Sequence, residues 1–400
     1  MKKYILFASI AFISFSSCKK ETPEPIATPS TTPVTPEDTL NSSQKQQVKA
    51  TYANIAFAVY DDAYQAALNL QTDINLFVAN PTNASFQTCK TKWLAVREIY
   101  GLTETFRFAE GPIDNAADGP EGFINAWPMD EAYVDYVIGN ANSGIINDVV
   151  TYPTINQATL LSANESGGET NISLGFHAIE FLLWGQDTSA NSAGLRPYTD
   201  YLTTGGTATN QARRGQYLNT TIDILVAGLQ QVRDAWDPAM SSNYRTEFLA
   251  MNNTVALRKM LSSLKAMSGD ELSGERMYVA YDHADQEDEH SCFSDNTHRD
   301  IYLNAKGMQN LYNGTYTRVN STVVSGYALK DLVALYDGTK NTEVVNYLAS
   351  SLTKINLMMI PFDQAIVLAG ERPKVLTAVQ ELQVLETKVI AAAAAMNIQL

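Results

Sequence analysis

The stretch NISLGFHAIEFLLWGQD, residues 171–187, decides what kind of protein this sequence builds. Phe176, Ile179, Phe181, Leu182, Leu183 and Trp184 put apolar side chains on nearly every side of a helix, which marks an element buried over most of its circumference. Two ionisable residues interrupt it, His177 and Glu180, three apart and therefore on one face. A buried charge is paired or bound to a metal. The stretch therefore has two readings, a His–Glu pair hydrogen-bonded inside a helical bundle or half of a metal site.

Outward from this stretch the periodicity stays helical. Residues 46–80 carry Val48, Tyr52, Ile55, Val59, Ala63, Ala66 and Leu70 at helical spacing, and 85–108 continue with Phe86, Trp93, Val96, Tyr100 and Leu102. The break Asn80-Pro81-Thr82-Asn83 makes these a helical hairpin. A second hairpin spans 210–237 and 242–267, broken at Asp237-Pro238. Residues 331–336, 342–360 and 374–396 are helical by period, with Pro361 and Pro373 as punctuation. After each hairpin comes an irregular acidic segment, then a shorter helix ending in Leu183-Trp184-Gly185 or Tyr312-Asn313-Gly314, a parallel that suggests an ancient duplication. The predicted fold class is all-α, with two helical-bundle domains at 44–208 and 209–400 and long irregular motif loops. Extended backbone is expected only at 110–127 and 282–296.

The start of the chain reads as an address. Lys2 and Lys3 precede an apolar run, 4–15, too short to span a bilayer, and Ser16-Ser17-Cys18 follows like a lipobox. Residues 1–17 are thus expected to be a lipoprotein signal peptide, and Cys18 the lipidated anchor of a protein at the bacterial cell envelope, at its outer membrane. Residues 18–43, rich in Pro, Thr, Ser and Glu, bury too little apolar surface to fold and read as a tether. With Cys18 lipidated, Cys89 and Cys292 remain, in different predicted domains, and no disulfide is expected between them.

Two further segments carry chemistry. Residues 104–136, ETFRFAEGPIDNAADGPEGFINAWPMDEAYVDY, place Glu104 and Arg107 on the end of the first hairpin, where Arg97 precedes them, with Glu104 able to face His177. Pro128 fits a first helical turn, where Asp130 and Glu131 suit either the helix dipole or a metal. Residues 274–314 concentrate Asp282, Asp285, Glu287, Asp288 and Glu289 with His283, His290 and His298, three of the four histidines in the chain. There Asp295-x-x-His298 opens a helix much as His177-x-x-Glu180 lies on one.

Gly175-Phe-His177-Ala-Ile-Glu180 resembles the G-x-H-x-x-E signature of the imelysin family, which comprises the insulin-cleaving membrane protease and iron-regulated protein A-like envelope lipoproteins. The segment with Gly-Pro-Ile-Asp at 111–114 and Trp127-Pro128 resembles that family's first-domain motif, and Ser291-Cys-Phe-Ser-Asp295-Asn-Thr-His298-x-Asp300 its second. The resemblance implies a metal-binding lipoprotein acting in iron uptake. Its metal would be divalent or ferric, iron or zinc first, held by His177, Glu180, Glu104 and Asp130, with Arg97, Arg107, Asp295 and His298 supporting the cleft. Its partners would be the metal ion or a small iron-carrying ligand, together with iron-uptake proteins.

Two other readings stay open: a metallopeptidase with water on zinc, and a partner-binding module whose polar cluster is structural. No H-E-x-x-H, G-x-S-x-G, Walker or dinucleotide motif occurs. A net charge of −15 argues against a nucleic-acid partner and for tolerance of cations.

Overall fold

The computed structural model describes residues 41–189 and 191–400, which belong to one compact unit. The expected signal peptide, Cys18 and most of the tether lie outside the described residues. Helix α1, Ser42–Ala79, starts just before the expected end of the tether. Tyr52, Ile55, Ala56, Val59, Ala63, Ala67, Leu70, Ile74 and Phe77 recur along it at three- and four-residue spacing and form one buried stripe. Helix α2, Asn83–Tyr100, opens on a reciprocal cap between Thr82 and Ser85 and runs on as a tight 3₁₀ turn, Gly101–Phe106.

Helix α3, Gly175–Trp184, is the expected buried helix, with all ten residues inaccessible. Helix α4, Gln211–Trp236, follows, and then α5, Asn253–Ala266. A wide π-type helix, Met267–Tyr278, continues α5. Hydrogen bonds from i to i+5 stack residues five apart, which is why Arg276 reaches Glu271 at 2.7 Å. Helices α6 (Thr297–Asn313), α7 (Gly338–Ile355) and α8 (Arg372–Ala395) complete the frame.

The fold is all-α, and its expected halves interlock. Helix α1 packs along both α2 and α4, α6 packs on Gly101–Phe106, and one hydrophobic core runs through residues of both halves. The junction expected near 208/209 is therefore a loop between packed helices and not a gap between two cores. Among the described residues, no helix is long and apolar enough to cross a membrane.

Three details differ from the sequence expectation. Thr315–Thr317 (β1) and Val323–Ser325 (β2) pair as an antiparallel hairpin, favoured by their β-branched and aromatic residues and fastened to α1 by Tyr316 and Arg318 on Asp62. The irregular stretch after α2 reaches almost to α3, interrupted by short helices such as Glu121–Ile124 and Glu131–Val134. Buried ion pairs hold it in place of an apolar stripe: Asp135 receives Arg196 and Arg214, each at 2.6 Å. Lastly, Pro128 precedes a helix rather than starting one, following a cis bond from Trp127.

Candidate metal centre

Helix α3 begins where only glycine fits. Gly175 has φ +86°, and a Cβ there would sit 2.6 Å from the Ile124 carbonyl oxygen. The missing side chain lets α3 start against Glu121–Ile124, and Trp93 Nε1 donates to the Phe176 carbonyl at 3.0 Å. Those contacts turn His177 and Glu180 inward. His177 Nδ1 lies 3.1 Å from Glu180 Oε2, with both side chains buried. The other carboxyl oxygen, Oε1, accepts from Ser294 N at 2.9 Å and Ser294 Oγ at 2.6 Å. Glu180 thus joins α3 to the acidic segment ahead of α6.

That segment brings a second imidazole. The His290 ring meets His177 edge-on, with centroids 4.7 Å apart. His290 Nδ1 lies 2.9 Å from Asp300 Oδ2, which also accepts from Ser291 Oγ at 2.5 Å, while Asp300 Oδ1 pairs with Arg97 Nη2 at 3.0 Å. Arg97 further donates to Asn125 Oδ1 at 2.5 Å. Each imidazole has its Nδ1 on a carboxyl group and its Nε2 buried with no hydrogen-bond partner. A histidine oriented through Nδ1 with an unpartnered Nε2 is the usual arrangement of a metal ligand with its outer-shell carboxylate.

His290 also lines a cavity of about 500 Å³ together with Trp127, Arg107, Arg276 and the acids Glu121, Glu165, Glu169, Glu271 and Glu275. This acidic cleft offers cations a way from solvent to the buried ring. Around it the protonation states are held apart. Burial, then Arg97, pushes the His177 imidazole down to about 3; burial, then Arg276, does the same to His290. Both rings are neutral at physiological pH. Burial pushes the Glu180 carboxyl up to about 8, so it keeps a proton that lies between Oε2 and His177 Nδ1. Burial would raise Asp300 too, but Arg97 and the donors His290 and Ser291 hold it well below the usual carboxylate range. Ionised Asp300 only accepts, which puts the hydrogen of His290 on Nδ1 and leaves Nε2 a lone pair.

The sequence-derived site residues divide. His177, Glu180 and Arg97 come together here. Glu104 lies within electrostatic reach of both imidazoles, but its Oε2 is taken by Arg276 at 2.5 Å and Arg107 at 3.2 Å. Against the effect of burial, those two guanidiniums hold the Glu104 carboxyl at about 2. Asp130 caps the short helix Glu131–Val134 by accepting from Ala132 N at 2.9 Å and is exposed, so its acid serves the helix start.

The four residues expected as one ligand shell are therefore not gathered. Among the described residues, the only three His, Cys, Asp or Glu ligand atoms within 4.8 Å of one another belong to Asp187, Asp295 and Asp363. Asp295 stands in that group, and His298 turns its Nδ1 back to the Asp295 carbonyl at 3.0 Å. The acidic segment does approach α3, but through Ser294 and His290. His290 was visible as one of three clustered histidines; Asp363 gave no signal in sequence. Cys89 is buried as a small hydrophobe of α2.

Two solved structures share this fold. One is described as an iron-regulated protein A precursor from Parabacteroides distasonis ATCC 8503, with TM-score 0.69, 18% identity, and coverage of 88% of this chain and 95% of that one. The other is an imelysin-like protein from Psychrobacter arcticus 273-4, with TM-score 0.61, 12% identity, and coverage of 90% and 97%. Among curated proteins, none matches the chain in sequence. A family model for imelysin matches residues 56–389, a span that runs from α1 into α8 and takes in the glycine-led α3, His290 and Asp300. With that span matched, the chain belongs to the imelysin family.

Proposed function

We propose that this chain is a lipoprotein of the bacterial cell envelope, anchored through Cys18 at the outer membrane, that binds an iron or zinc ion and acts in iron uptake. The observation that supports it most is the pair of neutral, buried imidazoles of His177 and His290, each fixed through Nδ1 and each with an unpartnered Nε2. Two imidazoles suit iron and zinc far better than calcium. Glu180 and Asp300 orient the rings through their Nδ1 atoms. Remaining positions would be filled by water or by a small iron-carrying ligand entering through the acidic cleft.

Chelator-stripped protein titrated with Fe²⁺ or Zn²⁺ tests the reading. Wild type should bind about one ion, and His177→Ala and His290→Ala should each lose at least ~10-fold in affinity with helicity intact. Equal binding by all three proteins would end it. The metallopeptidase reading rests on the His177–Glu180 pair, in which the carboxyl would tune an imidazole on zinc. Cleavage of insulin by the zinc-loaded protein, lost in Glu180→Gln, would favour it over a carrier.

A further inference from the structure

A second group of acids flanks the two imidazoles, with Asp295 next to Ser294 and Glu289 next to His290. Asp187 follows α3, Asp295 precedes α6, and Asp363 sits in the short helix Phe362–Val367. One oxygen from each comes within 4.8 Å of the others. Asp363 is 1% exposed, and neither of its oxygens has a hydrogen-bond partner; Asp187 Oδ2 and Asp295 Oδ1 are likewise buried and unpartnered. Glu289, fully buried, stands against Asp363, carboxyl to carboxyl.

The other buried acids of this protein show what is missing. Asp135 has Arg196 and Arg214, Glu104 has Arg276 and Arg107, and Asp300 has Arg97. Asp187, Asp295, Asp363 and Glu289 have no Lys, Arg or His ion-pair partner among the described residues. Several carboxylates sharing one site cannot all ionise without a positive charge between them.

We propose that Asp187, Asp295 and Asp363, backed by Glu289, form a binding site for a hard divalent cation of the calcium class, separate from the imidazole pair. Donors that are all oxygen and all anionic select Ca²⁺, Mg²⁺ or Mn²⁺ over metals that prefer imidazole. Three carboxylates leave coordination positions for water or backbone carbonyls. Asp187 also lines a surface cavity of about 220 Å³, which gives the cation and its waters a way in. The site would tie the end of α3, the start of α6 and the chain just before α8 to one ion. It acts as a clamp that sets the position of the Ser294 contact to Glu180 next door.

The test uses the folded chain after chelation, titrated with CaCl₂ alone and separately with MgCl₂ and MnCl₂, and read by calorimetric binding and melting temperature. Wild type should bind one ion and melt higher with it. Asp363→Asn and Asp295→Asn should each bind Ca²⁺ at least ~10-fold more weakly, since each removes one ligand charge. Without added cation, both variants should melt higher than wild type, because a like charge is gone. His177→Ala should keep the full Ca²⁺ response, which separates this site from the one proposed for iron. If one Asn variant does not fold, the other carries the test, because Asp295 is only half-buried. No binding of any of the three cations by wild type, or an unchanged Ca²⁺ response in the Asn variants, would overturn the proposal. So would loss of that response in folded His177→Ala.

Discussion

Asp300→Asn separates the charge at the centre of the imidazole site from its shape. The side chain keeps its volume, so no cavity forms. All the groups that meet Asp300 are donors: Arg97 at 3.0 Å, Asn296 at 3.3 Å, His290 at 2.9 Å and Ser291 at 2.5 Å. An amide offers one acceptor oxygen, so it can serve only one side of this ring of donors. With the oxygen on Arg97, the amide N–H₂ faces His290, whose Nδ1 must give up its hydrogen to accept. That hydrogen moves to Nε2, which then donates where a metal ligand must present a lone pair. Meanwhile Arg97, 1% exposed, loses its anionic partner. Removing one member of a buried ion pair typically costs about 3–5 kcal/mol, and disturbing the carboxylate behind a metal-bound histidine lowers metal affinity on the order of 10–100-fold. The assay is urea unfolding of chelated protein together with Zn²⁺ or Fe²⁺ calorimetry. A loss of stability with metal affinity intact would refute the role of His290 Nε2. A stability change under about 1 kcal/mol would refute the burial of the Arg97–Asp300 pair.

Glu180→Gln is expected to leave stability near neutral pH unchanged or raised, because Gln mimics the protonated carboxyl and its oxygen can still accept from Ser294; a loss of several kcal/mol at pH 7 would mean that Glu180 is ionised. The sign with pH follows from the raised folded value: folded Glu180 holds its proton between the usual 4.5 and about 8 while the unfolded chain releases it, so wild type loses stability relative to Glu180→Gln as pH climbs through that window, by up to ~1.4 kcal/mol per unit, measurable as diverging melting temperatures. For the metal-free imidazoles the sign reverses: His177 and His290 stay neutral down to about 3 when folded but charge near 6.5 when unfolded, so their contribution is whole above 6.5 and lost on acidification, and the double Ala variant should show a shallower acid limb. Gly175→Ala should destabilise by more than ~2 kcal/mol, since a Cβ 2.6 Å from the Ile124 oxygen cannot be relieved without moving backbone and φ is +86°; a melting temperature within a degree of wild type would show that α3 does not depend on that close approach.

What the sequence made legible was local. Helical period found α1, α4 and α8 within a few residues and the start of α2, and the three-residue spacing of His177 and Glu180 brought an imidazole to a carboxyl. What it hid was carried over long separations, where spacing says nothing: Arg97 meets Asp300 across 203 positions, and Ser294 meets Glu180 across 114. Asp130 shows a different limit, since an acid near a helix start satisfies the rule for a cap and the rule for a ligand equally, and only the bond to Ala132 N decides. The Thr315–Ser325 hairpin was invisible because two three-residue strands are too short for any period.

The same distinction between local and distant contacts changes the chemistry assigned to Glu180. From the helix alone it is a second ligand beside His177, because residues three apart can share an ion. Once Ser294 supplies two hydrogen bonds to one oxygen and burial keeps a proton on the other, Glu180 has no free lone pair aimed past His177, and its effect on a cation is exerted through the ring. A cation can take His177 Nε2 only when that nitrogen is bare, and with one proton shared between Oε2 and Nδ1 this requires the pair to give up its second hydrogen. His290 needs no such change, since ionised Asp300 already holds its hydrogen on Nδ1. The two imidazoles are thus unequal by construction. In the proposed site His290, which lines the acidic cleft, would engage a metal first, and His177 would engage it only as a proton leaves. Site occupancy should accordingly tighten as pH rises toward 8, in the direction opposite to the stability of the metal-free fold around Glu180.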